Sequence, residues 1–269
     1  MSKNPSTNVT YHCRTRVGEE FAMKKLLCVM VSAAMLLFCA CSGAKSGQSL
    51  REGTALSFPG TNWNMNMDEV MNACGFTDAD DLQVSDDDCA PAFLVSDREV
   101  FGETATTLSF SFVNLKAVAQ DSETASAPGE EVLAGITVIY PAGADLEKVR
   151  QQLDSLYGKS ALNEITVFSP YSPLDSDTLS GQKQTASDTT ALWGTPALSS
   201  EIGGKDRASF QEKWPAFQPG LTAEDWESFS DEARFVTIVC EEGEEFSSVQ
   251  FYAYNLNVYN ELSAQMDTE

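Results

Sequence analysis

Two segments of this chain alternate apolar and polar side chains, and this alternation constrains the fold more than any other feature. The aligned apolar positions are Leu108, Phe110 and Phe112 in residues 107–112, and Ile136, Val138 and Tyr140 in residues 135–140. Successive side chains of a strand point to opposite faces of a sheet, so each segment presents one apolar face. The pattern predicts a sheet that is buried on one side only.

An amphipathic helix is predicted directly after the second of these segments. The apolar residues that recur at helical spacing over residues 145–157 are Leu146, Val149, Leu153 and Leu156. Gly158 is placed to end this helix. A half-buried strand and an amphipathic helix must cover each other's apolar faces, so we predict that this stripe faces the apolar side of residues 107–112.

A shorter helix is predicted from residue 66, before both strands. Asn66 can cap its first turn, Glu69 stands at the capping-box position, and Gly75 is a stop signal. The positions that share the apolar face of this helix are Met67, Val70, Met71 and Cys74. We therefore expect these residues to point toward the sheet.

The remaining signals complete an α+β prediction. Strands are predicted at residues 92–95, 165–168, 234–240 and 247–256, with residues 241–245 as a hairpin turn between the last two. A further helix is predicted to start at Thr222, where Asp225 completes a capping-box pattern. The expected fold is an antiparallel sheet with helices packed on one face.

Residues 23–41 precede this body and have the features of an export signal. Lys24 and Lys25 form a positive start, residues 26–40 are apolar but short for a membrane span, and Ala40 precedes Cys41. The ending Leu-Phe-Cys-Ala-Cys, residues 37–41, resembles the lipobox of bacterial lipoproteins. The resemblance implies export, and anchoring to the extracytoplasmic face of the cell membrane by lipid on Cys41.

The position of this signal predicts how the chain is organised. A signal peptide belongs at the N-terminus, so we expect translation to start at Met23. The predicted segments are an upstream extension at 1–22, a lipoprotein signal peptide at 23–40, the lipidated cysteine and a flexible tether at 41–54, a first α+β unit at 55–168, a flexible loop at 169–190, and a C-terminal α+β portion at 191–269.

Composition argues against several function classes. The chain has 17 basic and 40 acidic residues, for a net charge of −23, which repels phosphate backbones, so we expect no nucleic-acid partner. The one histidine, His12, lies in the expected upstream extension. The expected mature chain therefore has no histidine for catalysis or for binding a metal ion. We expect no cofactor. A loose calcium site in the acidic residues 78–88, which lack EF-hand spacing, is an alternative to a solvated loop.

Cys74 has two interpretations. Export to an oxidising compartment permits a disulfide between Cys74 and Cys89. The helical spacing instead places Cys74 on an apolar face, where a free cysteine behaves as a small hydrophobic side chain.

Two patterns in residues 55–160 resemble a known family. Residues 58–70, Phe-Pro-Gly-Thr-Asn-Trp-Asn-Met-Asn-Met-Asp-Glu-Val, with Gly75 after them, resemble an opening written W-G-M-s-x-x-E-V-x-x-x-x-G. Residues 156–159, Leu-Tyr-Gly-Lys, resemble the helix end L-x-x-x-Y-G-x-P. These patterns are similar to the α+β family of BamE and β-lactamase inhibitor protein. The resemblance implies helices on one face of an antiparallel sheet, and protein binding without catalytic residues.

The favoured function class is a non-catalytic envelope lipoprotein that binds a protein. Its sheet face or its acidic loops would form the contact surface. Tryptophan is frequent at contact surfaces and equally common in cores. We expect Trp63 in the core because it adjoins a helix start, and we take Trp193 and Trp214 as candidate partner contacts.

The alternative function class is a carboxylate-dependent glycan-handling enzyme or a glycan-binding module. Its acid/base pair would come from Asp86, Asp87, Glu241 or Glu242. A cleft that holds two converging carboxylates would favour this alternative over the binding module.

Overall fold

A computed structural model describes residues 56–77, 80, 82–85, 90–115, 131–168, 181–202, 206–218 and 221–266. The predicted signal peptide, Cys41 and the tether lie outside these residues. Asp86, Asp87 and Cys89 also lie outside them, as do residues 116–130 and the first part of the predicted loop, 169–180.

The described strands are antiparallel to their neighbours. They are β1 (Gln83–Ser85), β2 (Ala92–Val100), β3 (Glu103–Val113), β4 (Val132–Pro141), β5 (Glu164–Val167), β6 (Gln182–Thr185), β7 (Thr190–Gly194), β8 (Thr237–Glu241) and β9 (Phe246–Tyr252). Within the described residues, seven of them form one sheet in the order β1-β2-β3-β4-β9-β8-β7. β5 and β6 pair with each other in a separate hairpin.

Helices connect and follow these strands. They are α1 (Met67–Cys74), α2 (Leu146–Tyr157), α3 (Leu198–Glu201), α4 (Asp206–Lys213), α5 (Trp226–Glu232) and α6 (Tyr254–Met266), with a 3₁₀ turn at Trp214–Ala216. The predicted α+β class is therefore confirmed.

One face of the sheet is buried beneath the helices, and we call it the covered face. Strand register places six large side chains in one row across it: Phe93, Phe110, Ile136, Phe251, Ile238 and Trp193. All six belong to one hydrophobic cluster, which also holds the buried apolar residues of the described helices. The predicted inward orientation of Leu108, Phe110 and Phe112 is confirmed.

The predicted caps of α1 are present. The Asn66 side chain accepts a hydrogen bond from the Glu69 amide at 2.9 Å, and the Glu69 carboxylate accepts one from the Asn66 amide at 3.0 Å. Gly75 ends the helix with a φ of 71°, which favours glycine. Val70 is fully buried, while Met67 and Cys74 are half-buried against the core, as the sequence predicts.

A two-residue turn joins β2 to β3. Phe101 and Gly102 have φ values of 49° and 82°, and the type I′ turn requires positive φ at both positions. The Phe101 ring stacks on Phe251 with 6.1 Å between centroids, so burial on the covered face offsets the strain of its backbone. Lys148 of α2 donates hydrogen bonds to the Gly102 carbonyl and the Glu103 carboxylate, which fixes α2 beside this turn.

The prediction for α2 is correct except at its last turn. Leu146, Val149 and Leu153 are buried in the same cluster as the covered face. Leu156 is 41 % exposed, so its predicted inward position is wrong. Tyr157 takes the inward position instead, because its ring packs edge-on against Phe251 and its hydroxyl donates to the Ser57 carbonyl at 2.9 Å.

The C-terminal strand is shorter than predicted. β9 ends at Tyr252, and α6 begins at Tyr254, so residues 254–256 are helical rather than extended. Residues 253–258 are all buried. Apolar periodicity cannot separate a strand from a helix where every side chain is buried.

The two predicted halves share one sheet. β4 of the first half pairs with β9 of the second over seven residue pairs, and residues 49–269 form one unit. Within the predicted loop 169–190, residues 182–185 form β6, which pairs with β5. The predicted loop is therefore wrong for these four residues and for Thr190, where β7 begins. No boundary separates the halves within the described part of the sheet.

We expect Phe110→Ala to lower the free energy of unfolding by about 3–5 kcal/mol, because it empties a fully buried site. Ser109→Ala and Ser111→Ala lie on the opposite face and should change it by less than about 1 kcal/mol. Urea unfolding followed by circular dichroism measures these values. Equal losses from Phe110→Ala and Ser111→Ala would contradict the assignment of the two faces.

Candidate functional site

The second face of the sheet carries small polar side chains, and we call this surface the open face. Its polar residues on β3, β4 and β9 are Thr107, Ser109, Ser111, Thr137, Ser248 and Gln250. The register also places two apolar residues on this face: Ile139, which pairs with Thr107 and Ser248, and Leu94, which pairs with Ser109. All are half-buried except Ser248, which is buried. The buried apolar residues of the described helices lie in the cluster of the covered face, and the open face has none of them.

The β5–β6 hairpin covers one end of this second face. Ile165 of β5 packs with Leu192 of β7 and Val239 of β8 in a small cluster. Tyr252 borders this cluster on β9. The hairpin therefore limits the open face to β2, β3, β4 and β9.

Hydrogen bonds order the side chains along β9. The Tyr252 hydroxyl donates to Oε1 of Gln250, and Nε2 of Gln250 donates to Oγ of Ser248 at 3.1 Å. Burial, with a smaller effect from Glu241, raises the pKa of Tyr252, so the phenol stays protonated and remains a donor. This chain holds the Gln250 amide in one orientation at the centre of the open face.

The six polar residues of the open face can form many hydrogen bonds and carry no charge. They are hydroxyl and amide side chains, which both donate and accept hydrogen bonds. Because they stand on paired strands, their positions are set before a partner arrives. The sequence predicts a sheet face as a contact surface and places Ser109 and Ser111 outward, but it does not single out these six residues as a site.

The tryptophans predicted as partner contacts are buried instead. Trp193 is 4 % exposed, and its indole nitrogen donates to the Gly158 carbonyl at 2.8 Å. Trp214 is fully buried and packs edge-on against Trp226 with 5.2 Å between centroids. Neither ring reaches the surface, so the prediction of exposed contacts is wrong. The expected core position of Trp63 is confirmed, since it is fully buried.

The carboxylates of the alternative hypothesis are not brought together in the described residues. Glu241 and Glu242 are exposed at the β8–β9 hairpin, and the Glu242 amide donates to the Thr189 carbonyl at 2.9 Å. Two pockets lie elsewhere, near α1 and α6, and each is lined by one carboxylate, Glu69 or Glu261. Asp86 and Asp87 lie outside the described residues, so their part in an acid/base pair stays a prediction.

In the described part of the acidic stretch 78–88, Asp80 is engaged with its neighbours. A hydrogen bond from the Thr77 amide at 2.7 Å and the adjacent Arg98 guanidinium lower the pKa of Asp80. Among the residues that the structure describes, no group of three or more His, Cys, Asp and Glu side chains could hold a metal ion.

Cys74 and Cys240 are free thiols in the structure. Burial raises the pKa of each to about 11. For Cys240, the guanidinium of Arg150 opposes this shift but does not cancel it. The described geometry supports the interpretation of Cys74 as a half-buried apolar residue of α1, and Cys89 lies outside the described residues.

Comparisons of the whole chain with protein families, curated proteins and solved structures find no match. Among the described helices, none is long and apolar enough to cross a membrane.

We expect the buried Cys240 thiol to make folding stability depend on alkaline pH. The unfolded thiol ionises near its ordinary pKa, whereas the folded thiol stays protonated until about pH 11. Because the pKa of the thiol is higher in the folded state, its full contribution to stability is present below the unfolded pKa. The free energy of unfolding then falls by about 2–3 kcal/mol as the pH rises to about 11. Urea unfolding between pH 8 and about pH 11 measures this loss, which should be smaller in Cys240→Ala. An equal alkaline loss in the variant and the parent would contradict this assignment.

Proposed function

We propose that this protein is a non-catalytic, exported lipoprotein that binds another protein through the open face. The observation that supports this most is the asymmetry of the sheet. Its covered face is apolar and buried by helices, whereas its open face offers ordered hydroxyl and amide groups on β3, β4 and β9. The lipobox-like ending at Cys41 and the family resemblance of residues 55–160 support the same class.

The chemistry of the open face favours a macromolecular partner over a small ligand. The described pockets near α1 and α6 do not include its residues. Hydroxyl and amide groups beside the apolar Leu94 and Ile139 fit the mixed chemistry of protein interfaces, which carry about one hydrogen bond per 100–200 Å². Its strands need little ordering on binding, which lowers the entropic cost of association.

Site-specific photo-crosslinking tests the position of the contact. With a photoreactive amino acid at Ser109 or Thr137, we expect the same crosslinked protein species in intact cells. The matched control is Gln151, which is exposed on α2. Crosslinks of equal yield from Gln151, or different species from the two open-face positions, would contradict the proposal.

A charge on the open face should weaken this contact. We expect Thr107→Arg to reduce the crosslinking yield from Thr137 at least about tenfold, because an unpaired charge buried at an interface is strongly unfavourable. Thermal unfolding of the variant controls for stability. An unchanged yield in a folded variant would place the contact elsewhere.

Anchoring through Cys41 is tested separately. We expect Cys41→Ser to move the protein from the membrane fraction to the soluble fraction, or to leave an uncleaved precursor. Acyl chains contribute about 0.8 kcal/mol per buried CH₂, and the variant removes their attachment site. Membrane association and gel mobility that are both unchanged in Cys41→Ser would overturn the anchor assignment.

A further inference from the structure

Two adjoining pockets lie away from the open face, and together we call them the amide groove. The first has a volume of about 430 Å³ and lies between residues 62–65 and α1, lined by Asn62, Asn64, Glu69 and Asn72. The second has a volume of about 480 Å³ and includes residues at the end of β3, the start of β4 and α6. Asn64 lines both pockets, so they adjoin at this residue.

One face of α6 forms a wall of the second pocket. Asn257, Asn260, Glu261 and Ala264 stand at i, i+3, i+4 and i+7, the spacing of a single helix face. Asn257 is buried on this face, Asn260 and Glu261 are half-buried, and Ala264 is exposed. Burial of the two amide side chains is favourable only where their polar atoms have hydrogen-bond partners.

The structure leaves acceptors on this wall without partners. Asn257 is 3 % exposed, and its Nδ2 donates to the Leu133 carbonyl at 2.6 Å, but its Oδ1 has no partner in the structure. Asn260 donates from Nδ2 to Oδ1 of Asn64 at 2.8 Å, and its own buried Oδ1 also has no partner. A buried amide oxygen without a donor costs about 1–3 kcal/mol, so a ligand with N–H or O–H groups would relieve both atoms.

The charge of the groove defines the ligand further. Among the described residues that line it, Glu69 and Glu261 are the charged ones. Glu261 accepts one hydrogen bond from Gln265 at 2.8 Å, which leaves acceptor capacity on its carboxylate. Two carboxylates and the unpartnered amide oxygens favour a ligand that carries N–H donors and positive charge over an anionic one. Pockets of this volume are of the size that holds an organic molecule rather than a bare metal ion.

We propose that the amide groove binds an organic cation with N–H donors, either a free polyamine or the Lys or Arg side chain of a peptide. The ammonium or guanidinium group lies beside Glu261 and donates to the unpartnered amide oxygens of Asn257 and Asn260. Met65, Leu115 and Val132 line the groove and contact the aliphatic part of the ligand. This site is separate from the open face, so its test is independent of the proposed protein contact.

Isothermal titration calorimetry of the full chain with spermidine, and separately with the peptide Gly-Arg-Gly, tests the proposal and distinguishes the two sources. Salt near physiological strength screens general attraction to the acidic surface. We expect saturable binding of one probe at a single site. Glu261→Gln should weaken it at least about tenfold, because it removes a charge-assisted hydrogen bond. Asn260→Leu, at a half-buried position, should also weaken it.

The matched control is Glu244→Gln, which removes the same charge from the exposed β8–β9 hairpin and should leave the affinity within about twofold. Thermal unfolding of each variant shows whether it is folded. Equal weakening by Glu261→Gln and Glu244→Gln would show that the probe binds by general attraction to the acidic surface, and it would overturn the proposal. Absence of saturable binding for both probes at millimolar concentration, or displacement of the bound probe by stoichiometric calcium, would also overturn it.

Discussion

The aromatic packing on the covered face is the interaction on which the rest of the structure depends. Phe110 stacks on Phe93 with 4.8 Å between ring centroids, and the edges of Phe58 and Phe76 contact it at 5.8 and 5.9 Å. Phe58 precedes α1 and Phe76 follows it, so these rings attach the first helix to the sheet from both ends. Aromatic pairs of this kind add about 0.5–1.5 kcal/mol beyond the burial of their area.

This packing determines which surfaces remain for function. The apolar residues of the described helices are committed to the covered face, and the tryptophans belong to the same cluster. Most large side chains of the described residues are therefore in the interior, although Val84, Leu156 and Phe246 are exposed. The polar surfaces that remain are the hydroxyls and amide of the open face, and the amides and carboxylates of the groove beside α6. Both proposed binding sites accordingly rely on hydrogen bonding.

The candidate sites were only partly visible in the sequence. Ser109 and Ser111 were identifiable as outward positions, because they alternate with buried residues in β3, but nothing local distinguished a contact surface from an ordinary solvated one. Trp193 and Trp214 were misassigned, since the residues that bury them come from distant parts of the chain. The amide groove brings residues 62–72 together with residues 257–264, and no spacing in the sequence relates two segments that far apart.

The sequence by itself determined the local structure: the capping box of α1, the glycines that end α1 and α2, and the inward faces of β3 and β4. Each follows from interactions within a few residues or from the two-residue period of a strand. Only the tertiary structure decided that the halves share one sheet, that Tyr157 rather than Leu156 faces inward, and that residues 254–256 are helical. These outcomes depend on which surfaces pack together. Where the sequence fits both a helix and a strand, or where neighbouring residues compete for one inward position, contacts between distant residues decide the outcome.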